Sequence, residues 1–238
     1  MKQIIFGYFI ETYKTYKMQI TELIVYTSNL KAQKEFYCNT LNIPLNSESE
    51  DHIEFVIGNS VLTFKYKSDS KPYHIAINIP SNKEYKALAW LKERVIILKY
   101  FDDEIIDFIN WNAKSIYFYD ADKNIIEFIA RKNLKTDTSV TFNSESLLEI
   151  SEIGIPVNHI VQVYNNLHNT CNLDIYFGNF DHFCAIGGER GLFIVIDKNR
   201  KNWFPTNDKA FASEFKVNIL VNKQQYTVNF SKGELTIV

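Results

Sequence analysis

Glu127 is the residue of this chain that most needs a partner. It interrupts the apolar run Ile125–Ala130, and a carboxylate buried in such a segment costs several kcal/mol unless it meets a cation or hydrogen bonds. It therefore reads either as a ligand or acid–base group, or as a paired structural carboxylate. His74 opens the run HIAINI. At a strand's period of two it shares a face with Ala76 and Asn78, opposite Ile75, Ile77 and Ile79, and Glu127 likewise opposes Ile126 and Phe128. Glu22 lies in ITELIVYT, on the same side as Ile24 and Tyr26 and opposite Leu23 and Val25. These three side chains can face one cavity, with an imidazole and two carboxylates as its donors. His52 and His182 read as solvated turn residues. Cys171 and Cys184 have no cationic motif nearby to lower a thiol pKa and read as inert buried thiols.

Strands must carry all three candidates. Gln19–Thr27 is crowded with Ile, Thr and Val, after which Asn29 can cap a helix whose Leu30, Phe36, Tyr37 and Leu41 recur at helical spacing. Strands at Ile53–Ile57 and Ser60–Tyr66 follow across a Gly58-Asn59 turn. That is a βαβββ module. A second runs from Pro72 to Arg131, with strand His74–Ile79, a helix opened by the capping box Ser81-Asn82-Lys83-Glu84, and strands Val95–Tyr100, Lys114–Tyr119 and Ile125–Ala130. The Asp120–Asn124 turn before the last strand puts Lys123 at a left-handed position, at a cost of roughly 1 kcal/mol.

The sequence also matches itself at an offset of 130 residues: Glu22 meets Glu152, Thr40 meets Thr170, Asp51 meets Asp181, His52 meets His182 and Gly58 meets Gly188. The offset marks a third module at 148–197. The tail offers strands in FKVNILV, QYTVNF and ELTIV with no helix before the last two, a degenerate fourth module. The expected organisation is an arm at 1–17, a domain of two modules at 18–134, a polar connection near 135–146, and a partial second domain at 147–238. The opening segment has no small-residue cleavage site and reads as a swappable arm or as a start placed too early. A net charge of −2 leaves no surplus for gripping nucleic acid or anionic lipid. No run is long enough to span a membrane, and three widely spaced cysteines point to a reducing cytoplasm. The load of 18 Phe, 14 Tyr and 3 Trp suits core packing, or a pocket for a flat or apolar ligand.

Paired modules carrying ITELIVYTSNLKAQKEFYCNTLNI, HIAINI and IYFYDADKNIIEFIA make this chain resemble the vicinal oxygen chelate superfamily, the glyoxalase, bleomycin-resistance and extradiol-dioxygenase group. The last phrase resembles that group's closing hairpin, with Ala121 and Lys123 in place of its usual Pro and Gly. The resemblance implies an α+β fold of paired βαβββ modules forming half-open barrels around a divalent metal. By position its ligands fall on Glu22, His74 and Glu127, while Thr63 stands at a fourth position where relatives hold a carboxylate or amide.

One imidazole and two carboxylates suit Mn, Fe, Ni or Zn with positions left open for a bidentate substrate. The implied activity is that of a metal-dependent enzyme, a lyase, isomerase or dioxygenase, acting on a small molecule that chelates through adjacent oxygens, with Glu127 as its catalytic carboxylate. The other reading is a metal-free protein that sequesters a small molecule, of the bleomycin-resistance type. The third module is expected to hold no metal, because Phe193 stands opposite Thr63 in the repeat and Phe204 opposite His74. Its unfinished sheet should pack on the first domain or on a second chain in a homodimer. Arg200 and Trp203 are candidates for closing over a pocket.

Overall fold

The structure, a computed structural model, describes residues 18–238; the readings of 1–17 as an arm or an early start lie outside the described residues. Strand β1 (Met18–Thr27) leads into helix α1 (Leu30–Glu35), which continues as a wider turn over Phe36–Thr40. The Asn29 side chain caps α1 by accepting from the Ala32 N–H at 3.0 Å, as its residue type favours. Three strands follow, β2 (Leu45–Glu48), β3 (His52–Ile57) and β4 (Ser60–Tyr66). The next stretch holds β5 (His74–Ile79), α2 (Glu84–Lys92), two short strands β6 (Ile97–Leu98) and β7 (Ile106–Phe108), β8 (Ala113–Tyr119) and β9 (Ile125–Arg131). Then come β10 (Glu149–Val157), α3 (Ile160–Cys171), β11 (Ile175–Gly178), β12 (Phe183–Gly188) and β13 (Gly191–Asp197). The chain closes with β14 (Phe215–Val221), β15 (Gln224–Ser231) and β16 (Glu234–Ile237). Among the described residues no helix is long and apolar enough to cross a membrane.

This is an α+β protein of two open sheets. One runs β16-β15-β14-β1-β4-β3-β2; the other runs β11-β12-β13-β10-β5-β9-β8-β6, with β7 also on β8. Within both, a first strand pairs parallel with the strand that closes its module: β1 with β4, β5 with β9, and β10 with β13. The apolar strand residues Leu23, Val25, Ile75, Ile77, Phe128, Ile153 and Ile155 join Tyr37 and Leu41 after α1, Ala87 and Leu91 of α2, and Leu167 of α3 in one continuous core.

The sheets cut across the expected division of the chain. The first module joins the tail, through β1 antiparallel to β14, and the second joins the third, through β5 antiparallel to β10. The seam between the sheets is backbone-close: the Asn59 N–H donates to the Leu148 carbonyl at 2.7 Å, and a Cβ at Gly58, whose φ is 56°, would stand 2.0 Å from that oxygen. Only glycine combines that turn with that approach.

Three local expectations need correction. The capping box at Ser81 does not form. Its hydroxyl donates instead to the Arg131 carbonyl at 2.8 Å and meets Thr136 Oγ1 at 2.9 Å, tying the end of β9 to the corner before α2. Val95–Tyr100 keeps only two residues of strand. The offset of 130 holds for β1 and β2 against β10 and β11, but the pairing of Leu45 with Phe55 becomes that of Ile175 with Ile186. The loop after β11 is thus one residue longer, and from β3 onward the offset is 131. Lys123 does take the left-handed position, at φ 60°.

Candidate functional site

One row of paired residues builds the site. Glu127 on β9 lies across from Ala76 on β5, and Ala76 lies across from Glu152 on β10. Neighbouring strands stand about 4.8 Å apart, so two glutamates flanking an alanine can lean over its methyl group and converge. His74 is two residues along β5 on the same face. Its Nε2 lies 3.5 Å from Glu127 Oε2 and 3.9 Å from Glu152 Oε2. One donor atom from each of the three lies within 4.8 Å of the others, and all three residues are buried.

His74 and Glu127 therefore meet, as their strand faces require. Glu22 does not join them. It lies on the other sheet, where it accepts a hydrogen bond from Asn218 Nδ2 at 2.5 Å beside a small depression lined also by Thr21 and Thr227. The third member of the cluster is Glu152, its counterpart in the repeat, so the module expected to hold no metal contributes a carboxylate beside His74 and Glu127. The reason is the pairing of modules: β10, not β1, is the strand antiparallel to β5. Thr63 is buried on the other sheet with no partner for its hydroxyl. The one-residue shift makes Ile194, not Phe193, its counterpart, since Ile24 pairs with Thr63 and Gly154 with Ile194. Ile194 lines the cavity and cannot coordinate, so the donor set stops at three.

Burial sets the protonation of the site. Burial lowers the His74 pKa to about 4, so its ring is neutral with a lone pair to give. Burial also raises both carboxyls above the ordinary range. For Glu127 the Ser115 side chain and the Arg131 charge pull the other way, while the Glu127 charge pushes Glu152 further up. Arg131, fully buried, hydrogen-bonds Glu152 Oε1 through Nη2 and donates from Nε to Asn78 Oδ1 at 3.1 Å. It stands two strand positions beyond Ile129 and four beyond Glu127, on the same face, a periodicity the sequence displays. Tyr117 pairs with Glu127 across β8. Burial, then the charges of Glu127 and Glu152, keep its phenol protonated well above the usual range.

This row floors a cavity of about 660 Å³. Trp203 closes one side, with its ring centroid 5.0 Å from that of His74. It occupies the space that a side chain at Gly154 would need. Arg200 takes no part, being exposed and paired with Asp197. His182 lies exposed at the cavity rim, whereas His52 faces Ser49 and Asp51 on the other sheet's β3. Burial pushes the Cys171 and Cys184 thiols up to about 11, which leaves them unreactive.

A neutral imidazole and two carboxylates aimed at one point form a plausible donor set for a hard or borderline divalent cation. Arg131 supplies one positive charge against two carboxylates, so the ionised cluster would present one net negative charge to a cation.

No family model and no curated protein sequence matches this chain. Solved structures do match in fold. A "putative dioxygenase" from Bacillus subtilis superposes with a TM-score of 0.56 at 14% identity, over 76% of this chain and 64% of its own. A glyoxalase I mutant from Zea mays gives a TM-score of 0.51 at 13% identity, over 75% of this chain and 67% of its own. The chain thus spans about two thirds of the length of either protein. Its fold is the one shared by these two structures, a glyoxalase I and a protein described as a dioxygenase.

Proposed function

We propose that this protein is a metal-dependent enzyme whose substrate is a small molecule that chelates a divalent ion through adjacent oxygens. The observation that carries the reading is the Glu127–Ala76–Glu152 row with His74 beside it, which gathers three buried donors on the floor of a ligand-sized cavity. His74 Nε2 and one oxygen from each glutamate would hold Mn, Fe, Ni or Zn. A bound ion supplies a Lewis acid that polarises a carbonyl or enediolate oxygen. The chain does the rest. Arg131 fixes the orientation of Glu152 through the oxygen turned away from His74. Burial lets Glu127 hold a proton closer to neutrality than an ordinary carboxylate, the property a proton-transferring group needs. Tyr117 keeps its proton and can serve as a hydrogen-bond donor. Trp203 and the aromatic walls exclude water.

The test is elemental analysis of protein prepared without a histidine tag and equilibrated with each of the four metals. About one ion per chain is expected for at least one metal, with loss in Glu152→Ala and His74→Ala and retention in Glu22→Ala. A chain that takes up none of the four, or that loses its ion only with Glu22, refutes the assignment. One observation favours a second reading, metal-free sequestration of a small molecule: Arg131 already places a buried positive charge against Glu152. Ligand binding undiminished by chelators, together with an absence of bound metal, would select it.

A further inference from the structure

The rim of the cavity has a chemistry opposite to that of its floor. Rings form the walls, chiefly Phe108, Trp111, Phe177, Phe183 and Phe204. Among the described residues Lys201 is the only lysine or arginine lining this space. It is half-buried, and its Nζ lies 4.8 Å from the centroid of the Phe183 ring. Asp197, four residues earlier, accepts the Lys201 backbone N–H through its carbonyl but turns its carboxylate toward Arg200, 3.4 Å away. Desolvation lowers the Lys201 pKa, the sign of an ammonium that an anion would stabilise. The same cavity is also lined by Glu127, Glu152 and a neutral His74, none of which offers an anion a positive charge. The cavity is therefore polar along its depth and apolar around its girth.

We infer that the ligand is a flat, largely apolar molecule bearing an anionic group, a carboxylate, phosphonate or sulfonate, which pairs with Lys201 and turns the opposite end of the molecule toward His74, Glu127 and Glu152. This deepens the proposed function by naming the substrate class and its direction of entry, and it rests on that reading only in taking the cavity as the ligand site. A ring fits between the wall residues by stacking and edge contacts. The charge at the rim fixes which edge goes in.

Calorimetric titration of the full chain in EDTA with 2-naphthoate and with its neutral analogue 2-naphthamide tests this without metal or turnover. The carboxylate is expected to bind at least tenfold more tightly than the amide. Lys201→Gln should bring the two within about twofold while leaving naphthamide affinity unchanged, and Lys201→Arg should keep the preference. Equal binding of the two probes, binding of neither, or a preference that survives Lys201→Gln overturns the inference. Metal uptake measured on the same protein before EDTA is added separates the two claims. A Lys201-dependent preference in a chain that takes up no metal leaves this inference standing and removes the metal from the function.

Discussion

Alanine at position 154 should lower stability, although alanine normally improves on glycine in a strand. Gly154 lies on β10 outside the left-handed region, so a methyl group there meets no backbone strain, and Gly→Ala alone would stabilise by roughly 0.4–1 kcal/mol. The Cβ, however, would stand 2.5 Å from Trp203 Cη2, 2.6 Å from Cζ2 and 3.3 Å from His74 Cβ. Carbon atoms settle at about 3.5–4.0 Å, so the indole must retreat by about 1 Å or more. It cannot do so freely. Trp203 is buried, and its backbone N–H donates to the Asp208 carbonyl at 2.8 Å, which anchors the chain from which the indole projects. Overpacking of this kind costs about 1–3 kcal/mol, which leaves a net loss of about 1–2 kcal/mol once the glycine term is subtracted. For a chain of this size each kcal/mol moves the Tm by about 2–4 °C, so a fall of about 2–8 °C is expected, with tryptophan emission shifted to the red as Trp203 lifts. Trp203→Leu makes room, so the double variant should be more stable than the sum of the single effects by about 1 kcal/mol. An unchanged or higher Tm for Gly154→Ala, or strict additivity in the double variant, would refute the packing of Trp203 over the site.

Two further outcomes concern protons. Metal uptake should strengthen from pH 6 to 8 and release protons, because a cation must displace the proton of Glu152, whose carboxyl burial and the Glu127 charge push up to about 8; calorimetry in buffers of different ionisation enthalpy reads this directly, and a buffer-independent heat would contradict it. Asp120 titrates near 7 instead of 3.8, chiefly through burial, so the folded chain binds its proton more tightly than the unfolded one. Its contribution is therefore full below pH 4 and lost as pH rises toward 7, by up to ~4 kcal/mol. Asp120→Asn should flatten that part of the Tm profile, and an unaltered slope would remove Asp120 as its cause.

His74 and Glu127 were legible because a strand's period of two is written locally: aliphatic neighbours on one face mark the polar residue on the other. Glu152 obeys the same rule, opposed by Ile153 and Ile155 and placed opposite Glu22 in the repeat, yet its module was expected to hold no metal. What the sequence does not display is which first strand lies against β5. Glu22 and Glu152 are equivalent by repeat, and only tertiary pairing decides that β10 takes the place and β1 does not. Ala76 was a signal in plain view, since a methyl group between two longer side chains is what lets glutamates from both neighbouring strands meet. The capping box failed for a related reason. Ser81 had the right spacing, but the end of β9 offered its hydroxyl a nearer carbonyl.

The confinement of chemistry to one sheet follows from the tail. Three donors converge where β5 is antiparallel to β10 and also parallel to β9, because the parallel strand returns Glu127 to the level of Ala76. On the other sheet β14 takes the place of β5, but its outer neighbour β15 is antiparallel and joined to it by a turn. A hairpin cannot supply a parallel strand, which needs a crossover connection. Across from Asn218 it therefore presents Thr227, whose hydroxyl donates to Asn218 Oδ1 at 2.8 Å, while Asn218 donates in turn to Glu22. Glu22 there meets an amide and a hydroxyl where Glu152 meets an imidazole, a second carboxylate and a guanidinium. The same residue type, at the same place in the repeat, ends a hydrogen-bonded chain in one sheet and forms part of a donor cluster in the other. The difference traces to the missing crossover helix before β15 and not to either glutamate.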